Sequence, residues 1–454
     1  MSSTPFDVII IGAGSGNSIL TPDYDDLRVA IIEKDIFGGT CLNRGCIPTK
    51  MFVYAADVAS HVRDASRFGV DATLNGVRWN DIVQRIFGRI DPIPPSGKAY
   101  RESMANVRVF TGEGAFVGPK TIEVNGEQLT ARHIVLAAGA RPLIPMIPGL
   151  DAVDYHTSDT IMRLTELPKH LIIVGGGYIA TEMAHVFGSF GTEITMINRS
   201  ARLLGREDVA ISQRFTEIYQ RRFNVHTNTA IVGASQDVTG IALDLLTDGV
   251  MHRVNGDALL VAVGRIPNGD VLNLGAAGVM VDAAGFVITD HFLRTNVEGI
   301  WALGDVTNPN QLKHVANAET RAVAHNIIHP EALRTADLWP IPHAVFADPQ
   351  VASVGQTEQE LRAEGRNYIT ATQQYGDVAY GWAMEDTEHF CKLIADPATR
   401  LLLGAHIIGP QSSILIQQLI QGMKFGQTVD QMARGQIYIH PALSELVENA
   451  LLQL

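Results

Sequence analysis

Phe6-Asp7-Val8-Ile9-Ile10-Ile11-Gly12-Ala13-Gly14-Ser15-Gly16-Asn17 runs from a β-branched strand into a glycine-rich turn. A second strand-like run, Arg28-Val29-Ala30-Ile31-Ile32-Glu33, follows and closes on an acid. A strand, a turn built on Gly12 and Gly14, and an acid about 20 residues on make the dinucleotide-binding pattern. The glycines let the backbone approach a pyrophosphate, whose charge meets a helix N-terminus, and the acid accepts hydrogen bonds from a ribose. The fit is imperfect. Asn17 stands at the third glycine position, and Pro22 with Asp23, Asp25 and Asp26 predicts a shortened or bent helix after the turn. On this segment alone, a tight hairpin in an ordinary α/β protein reads much the same.

The pattern recurs. Leu171-Ile172-Ile173-Val174 leads into Gly175-Gly176-Gly177-Tyr178-Ile179-Ala180, a helical stretch through Phe190, and the strand Glu193-Ile194-Thr195-Met196-Ile197. Two such units make two dinucleotides the economical reading. Where the second should carry its acid it has Asn198 and Arg199, with Arg202 close behind. An acid there repels a 2′-phosphate, whereas arginine binds one through paired charge-assisted hydrogen bonds. The expectation is NADPH over NADH; the plainer alternative is that these arginines are surface charges.

Two further strand ends resemble each other: Ile134-Val135-Leu136-Ala137-Ala138-Gly139-Ala140-Arg141-Pro142 and Leu259-Leu260-Val261-Ala262-Val263-Gly264-Arg265-Ile266-Pro267-Asn268. Each predicts a buried strand whose end passes close to a cofactor or changes domain. Gly299-Ile300-Trp301-Ala302-Leu303-Gly304-Asp305 is another strand, ending on a carboxylate that suits sugar or ribityl hydroxyls; taken alone it is equally a plain αβ corner. From about residue 336 the glycine-rich turns thin out. Alternating segments, the apolar stretch Leu401 to Ile408 and a helical pattern from Ile414 to Phe425 predict a separate α+β domain whose apolar surface suits burial against a partner subunit.

The whole chain has 454 residues, 46% hydrophobic and 18% charged, with a net charge of −13. At roughly 150 residues per domain the length predicts about three domains. Ordinary apolar content argues against disorder, and the acidic balance against nucleic acid or an anionic membrane surface as partner. No apolar run reaches the ~18 residues of a membrane span. The start, Met-Ser-Ser-Thr-Pro-Phe-Asp, lacks the basic end and apolar centre of a secretory signal, so a cytoplasmic location is expected.

Three cysteines cannot form a disulfide framework in so long a chain. Cys41 and Cys46 lie together in Gly38-Gly39-Thr40-Cys41-Leu42-Asn43-Arg44-Gly45-Cys46-Ile47-Pro48-Thr49-Lys50, a spacing at which one helical turn could bring the sulfurs within disulfide reach. Pro48 suggests a helix beginning near the pair, and a helix N-terminus favours a thiolate. Zinc needs three or four ligands, and no Cys/His cluster supplies them, so redox chemistry is the stronger reading and no metal is expected.

These residues carry a resemblance. GGTCLNRGCIPTK, the two nucleotide turns, Gly304-Asp305 and the C-terminal His440-Pro441-Ala442-Leu443-Ser444-Glu445 resemble the class I pyridine nucleotide–disulfide oxidoreductases, the group of glutathione reductase and dihydrolipoamide dehydrogenase, over essentially the whole chain. The resemblance implies an α/β fold with two Rossmann-like domains, for FAD and NADPH, and a C-terminal α+β dimerisation domain. The expected boundaries are 1–150 and 271–335 for FAD, 151–270 for NADPH and 336–454 for the interface of an obligate homodimer. It places Gly12, Gly14, Glu33, Thr40, Lys50, Gly114, Ala138, Gly139, Asp305 and His314 at FAD, and Gly175, Gly177, Ile179, Glu182, Arg199, Arg202 and Gly264 at NADPH. Lys50, paired with Glu182, would lie near flavin N5. Cys46 would be the flavin-side thiolate and Cys41 the thiol that attacks the substrate disulfide. His440, from the other subunit and oriented by Glu445, would protonate the leaving thiol.

Lys50 to Ala56, Phe87 to Ile93, Tyr375 to Thr387, Ala433 to Gln436 and the unusual Gly16 to Leu20 are similar to the mycothione-reducing branch of that family. The branch implies a small-molecule disulfide with no obligatory charge, hence a pocket of hydroxyls, amides and aromatics. The alternatives are a dihydrolipoamide dehydrogenase, against which Asn198-Arg199 argues, and a glutathione-type reductase; a flavin scaffold whose thiols only sense oxidation is disfavoured by the retained catalytic set. Arg44, between the cysteines, either lowers a thiol pKa or points to solvent.

Overall fold

Val8 and Ile10 face one side of their strand and Ile9 and Ile11 the other, and all four are buried. A strand covered on both faces reads as a continuous apolar run, which is why FDVIII shows no polar alternation. In the computed structural model, which describes residues 5–454, this strand (Phe6–Ile11) lies inside a parallel sheet. The first residues read for a secretory signal, 1–4, lie outside the described part. Val29–Glu33 and then Val107–Thr111 flank the central strand on one side, and Glu127–Leu136 and then Ile300–Ala302 on the other. Glu127–Leu136 serves twice. Its first half pairs antiparallel with Thr121–Val124, and its second half joins the parallel sheet. Val8 and Ile10 pack in one core with Val29, Ile31 and Leu303; Ile9 and Ile11 pack in another with Ala30, Ile32 and Ile134.

The helix expected after the first glycine turn is replaced by two 3-10 turns, Ser15–Ile19 and Pro22–Tyr24. Asn17 has a specific role there. Its side-chain and backbone oxygens accept from the buried Arg101 at 2.7 and 2.8 Å. The Tyr24 hydroxyl donates to Ala324 O at 2.8 Å, tying the second turn to the helix Lys313–Ile328. Two helices follow the second strand: the short α1 (Gly39–Asn43) and the longer α2 (Cys46–Asp64).

The described chain divides into two compact units. The first holds residues up to Met51, Asn80–Leu143 and Gly264–Leu338; the second holds Phe52–Trp79, Ile144–Val263 and Trp339–Leu454. In the first, the two similar strand ends pair with each other, Ala140–Pro142 antiparallel to Arg265–Pro267. In the second, a parallel sheet runs in the order Asn224–His226, Glu193–Ile197, His170–Val174, Ala258–Val261. Its glycine turn opens α3 (Tyr178–Ser189), and α4 (Val209–Arg222) follows. The apolar pattern after residue 336 becomes a five-stranded antiparallel sheet backed by the helices Ser412–Lys424, Val429–Arg434 and Ser444–Leu452. Phe390–Ala395 and Leu402–Ile408 are buried along their whole length. The fold is α/β, with two Rossmann-like parts and a C-terminal α+β part. No helix among the described residues is long and apolar enough to cross a membrane.

Candidate active site

One helical turn does not carry both cysteines. Cys41 sits in α1, Arg44 leaves helical geometry at φ −144°, and Cys46 is the first residue of α2. A Cβ on Gly45 would lie 3.1 Å from the Thr40 carbonyl oxygen, so this tight break suits glycine. Pro48 falls in the first turn of α2, where its missing N–H has no helical acceptor to lose. The two thiols are free and hydrogen-bonded to each other. That bond from Cys46 lowers Cys41 to about 7; burial opposes it and the Lys313 cation adds to it. Cys46 is correspondingly pushed far up by its bond to Cys41, then by burial and by that neighbour's charge. The two thiols thus differ in direction within one hydrogen-bonded pair, Cys41 shifted down and Cys46 up. Arg44 is engaged elsewhere. Its guanidinium binds the Asp35 carboxylate, and the activating cation is Lys313, which sequence reading passed over for its neighbour His314. Lys313 also donates to Ser15 Oγ at 2.8 Å, while His314 is exposed on the same helix turn.

The first glycine turn fits a dinucleotide. Gly12 has φ +104°, and a Cβ there would lie 2.3 Å from Ala137 O, so the turn accepts no side chain. Glu33 Oε2 accepts from Ala13 N at 2.8 Å and Oε1 from Asp35 N at 3.0 Å, which leaves lone pairs on both oxygens for ribose hydroxyls. Gly14 precedes the first 3-10 turn, Thr40 is exposed in α1, and Gly114 opens the strand Gly114–Gly118 opposite Val124. Asn268 fixes the other glycine turn, donating its amide to Ala138 O and its backbone N–H to Gly139 O. Asp305 is half-buried and pushed up by burial, with Arg265 and Lys313 opposing, as suits a carboxylate awaiting hydroxyl donors. The turn beside it is held by the buried Glu319, which accepts from Gly304 N at 2.6 Å and Asn308 Nδ2 at 2.8 Å. Together these residues fit FAD.

The second turn repeats the logic. Gly175 has φ +128°, and a Cβ there would meet Ala262 O at 2.3 Å. Gly177 caps α3 without a side-chain hydrogen bond, as suits a helix start that faces a pyrophosphate, with Ile179 in the first turn. Asn198, buried where an acid was expected, donates to Ser200 O and Arg202 O, both at 2.9 Å, and so folds the following loop. Arg199 is exposed. Arg202 is half-buried, and its buried Nε has no hydrogen-bond partner among the described residues. A buried N–H left unsatisfied is costly, and a phosphate oxygen satisfies it. These residues fit NADPH. Gly264, with φ +141°, stands where the chain re-enters the first unit.

Lys50 is exposed on the first turns of α2, in the first unit with the dithiol. Glu182 is buried in α3, in the second unit, and its Oε1 accepts from Phe346 N at 2.8 Å. His440 is 72% exposed, and its Nδ1 donates to Glu445 Oε1 at 2.8 Å. Since a carboxylate only accepts, Nε2 is left outward as the nitrogen that exchanges a proton. The bond from His440 holds Glu445 below the usual carboxylate range. No group of three or more metal-ligating side chains occurs among the described residues.

Residues 6–322 match the family described as pyridine nucleotide-disulphide oxidoreductase, and residues 341–451 match its dimerisation domain. The mycothione reductase of Mycobacterium tuberculosis is 50% identical over 99% of both chains. The dihydrolipoyl dehydrogenase of Chlorobaculum parvum is 32% identical over 99% of this chain and 97% of its own. Among solved structures, the HOCl-induced flavoprotein disulfide reductase RclA from Escherichia coli, as its Cu(II) complex, matches with a TM-score of 0.87 and 27% identity over the full length of both. Fold, dithiol, nucleotide turns and relatives converge: the chain belongs to the pyridine nucleotide–disulphide oxidoreductases, NAD(P)H-dependent homodimeric enzymes that work through FAD.

Proposed function

We propose that this chain is a cytoplasmic, NADPH-dependent reductase of mycothione, converting one disulfide into two mycothiols as an obligate homodimer. The observation that carries the reaction class is the Cys41–Cys46 pair, with one thiol activated by the other at a helix break. The substrate choice is supported by half-identity to a mycothione reductase over the whole length of both chains. In domain terms, residues 1–150 and 271–335 hold FAD, 151–270 hold NADPH, and 336–454 form the subunit interface. Bound FAD supplies hydride acceptance from the nicotinamide and delivery of the electron pair to the Cys41–Cys46 disulfide.

The chain's own residues do the rest. The Cys41 thiolate attacks one sulfur of the substrate, breaking its S–S bond and forming a mixed disulfide. The first thiol leaves with the proton that the Cys41 thiol gave up, carried on Nε2 of the partner subunit's His440, whose ring Glu445 orients through Nδ1. Cys46 then attacks the Cys41 sulfur, restoring the internal disulfide and releasing the second thiol. Lys50, paired with Glu182, places a cation beside the flavin. Arg199 and Arg202 hold the 2′-phosphate. A steady-state panel of mycothione, glutathione disulfide and lipoamide, each with NADPH and NADH, tests the reading. The highest kcat/KM is expected for mycothione with NADPH; faster turnover of lipoamide with NADH would replace it with a dihydrolipoamide dehydrogenase, and faster turnover of glutathione disulfide with a glutathione-type reductase.

A further inference from the structure

At 100° per residue, Cys46, Lys50, Val53 and Asp57 fall within about 60° of one another around α2. By the same arithmetic Tyr178, Glu182, His185 and Ser189 share one stripe of α3. Where the second unit contains both helices, these stripes meet. His185, wholly buried, places Nε2 2.8 Å from Asp57 Oδ1, and Ser60 Oγ lies 3.1 Å from Ser189 Oγ. A step of three residues on α2 matches a step of four on α3, so the helices run side by side in the same direction.

The other ring nitrogen decides the tautomer. Arg222 Nη2, on α4, lies 3.2 Å from His185 Nδ1 and donates to Ser189 Oγ at 2.8 Å. Guanidinium has no acceptor, so Nδ1 accepts and the ring proton sits on Nε2, facing Asp57. Arg222 Nη1 reaches on to Asp348, donating to its carbonyl at 3.1 Å and its carboxylate at 3.2 Å. Two residues before Asp348, Phe346 N–H donates to Glu182 Oε1. The chain of bonds therefore leaves α2 at Asp57, crosses His185 and Arg222, and returns through the 346–348 segment to Glu182, one turn from where it entered α3.

We infer that Asp57, His185 and Arg222 are positioning residues that set the register of Glu182, and through it the flavin-side cation. This rests on the pairing of Glu182 with Lys50 under the proposed function. The test is anaerobic stopped-flow reduction of the FAD-loaded dimer by NADPH, alongside the separately measured reoxidation by mycothione, the flavin midpoint potential and Tm. Misplacement of a catalytic group by about 1 Å can cost on the order of 100-fold, so Asp57→Ala should slow flavin reduction by roughly 10- to 100-fold and shift the potential. Reoxidation should stay near the wild-type rate. Asp57→Asn, which keeps an oxygen facing the Nε2 proton, should restore reduction. Wild-type reduction in Asp57→Ala, equal slowing of both half-reactions with a lowered Tm, or no rescue by Asp57→Asn would overturn the inference. A Glu182→Gln variant separates the two levels: if it reduces at the wild-type rate, the underlying Glu182 assignment is itself wrong.

Discussion

Replacing Cys46 by alanine removes the chief cause of Cys41's acidity, and the size of the effect can be worked out. Cys41 stands at about 7 because Cys46 donates to it, with Lys313 adding a smaller push. Loss of the donor moves it back toward the ordinary ~8.5, about 1.5 units. At pH 7 the thiolate fraction then falls from about one half to about 3%, roughly 16-fold. A more basic thiolate is also more nucleophilic, and a Brønsted slope of about 0.45 returns some fivefold of that. The net expectation is alkylation of Cys41 about threefold slower at pH 7 and up to fivefold faster above about pH 9.5, so the two rate profiles cross. The assay is iodoacetamide modification of the dithiothreitol-reduced enzyme across pH, read by mass spectrometry. Arg44 makes this clean, since tryptic cleavage after it places Cys41 and Cys46 on different peptides. An inflection that stays near 7 in Cys46→Ala, with no crossing, would refute the reasoning and shift the activation to Lys313.

Two further predictions concern the second unit. Lys392 is buried between Asp208, at 2.7 and 2.9 Å, and Glu358, at 2.6 Å, so Lys392→Met should cost about 3–5 kcal/mol by leaving the buried Asp208 carboxylate without a cation. Near-UV circular dichroism during heating should show a lowered Tm that Asp208→Asn partly recovers; an unchanged Tm would exclude the ion pair as a structural contributor. His343 is pulled down by burial, but the hydrogen bond and charge of Glu207 more than offset this and leave it raised. Its contribution to stability is therefore full below about pH 6.5 and lost as the pH rises through the raised value. The Tm of the wild type should fall over that interval, and His343→Gln should flatten the fall; equal slopes in both proteins would remove His343 from the account.

Local signals were readable and distant ones were not. Gly12 and Gly175 announce themselves because each turn must pass its own sheet's carbonyl, a constraint expressed within a few residues of sequence. The cysteine spacing was visible, but the break between α1 and α2 was not, because it depends on Arg44 leaving helical geometry and on Gly45 packing against Thr40. Asn17 looked like a defect in the fingerprint until Arg101, 84 residues away, was seen to bind it. Lys313 gave no signal at all. It reaches Cys41 from a helix more than 270 residues later in the chain, and only the sheet topology that returns Ile300–Ala302 beside Glu127–Leu136 brings it there. The buried charges Glu207, Asp208 and Lys392 were equally silent, since a charged residue in sequence reads as surface until its partner is known.

The asymmetry of the dithiol has a consequence for the order of the proposed steps. While Cys41 carries the charge, Cys46 is pushed up first by donating to it, then by burial and by the proximity of that charge. Premature attack by Cys46 is thereby suppressed. When Cys41 becomes bonded to the substrate sulfur its charge is gone, and the hydrogen bond and the charge cease to act together, leaving burial. Cys46 remains at the first position of a 19-residue helix, where the unsatisfied N–H groups favour a thiolate. The second thiol becomes the stronger acid at the point where a nucleophile is next required. Cys391 cannot intervene: it is wholly buried in the strand Phe390–Ala395, and burial pushes its thiol far up. One helix break thus gives two residues of the same type different surroundings, and so lets them act in sequence.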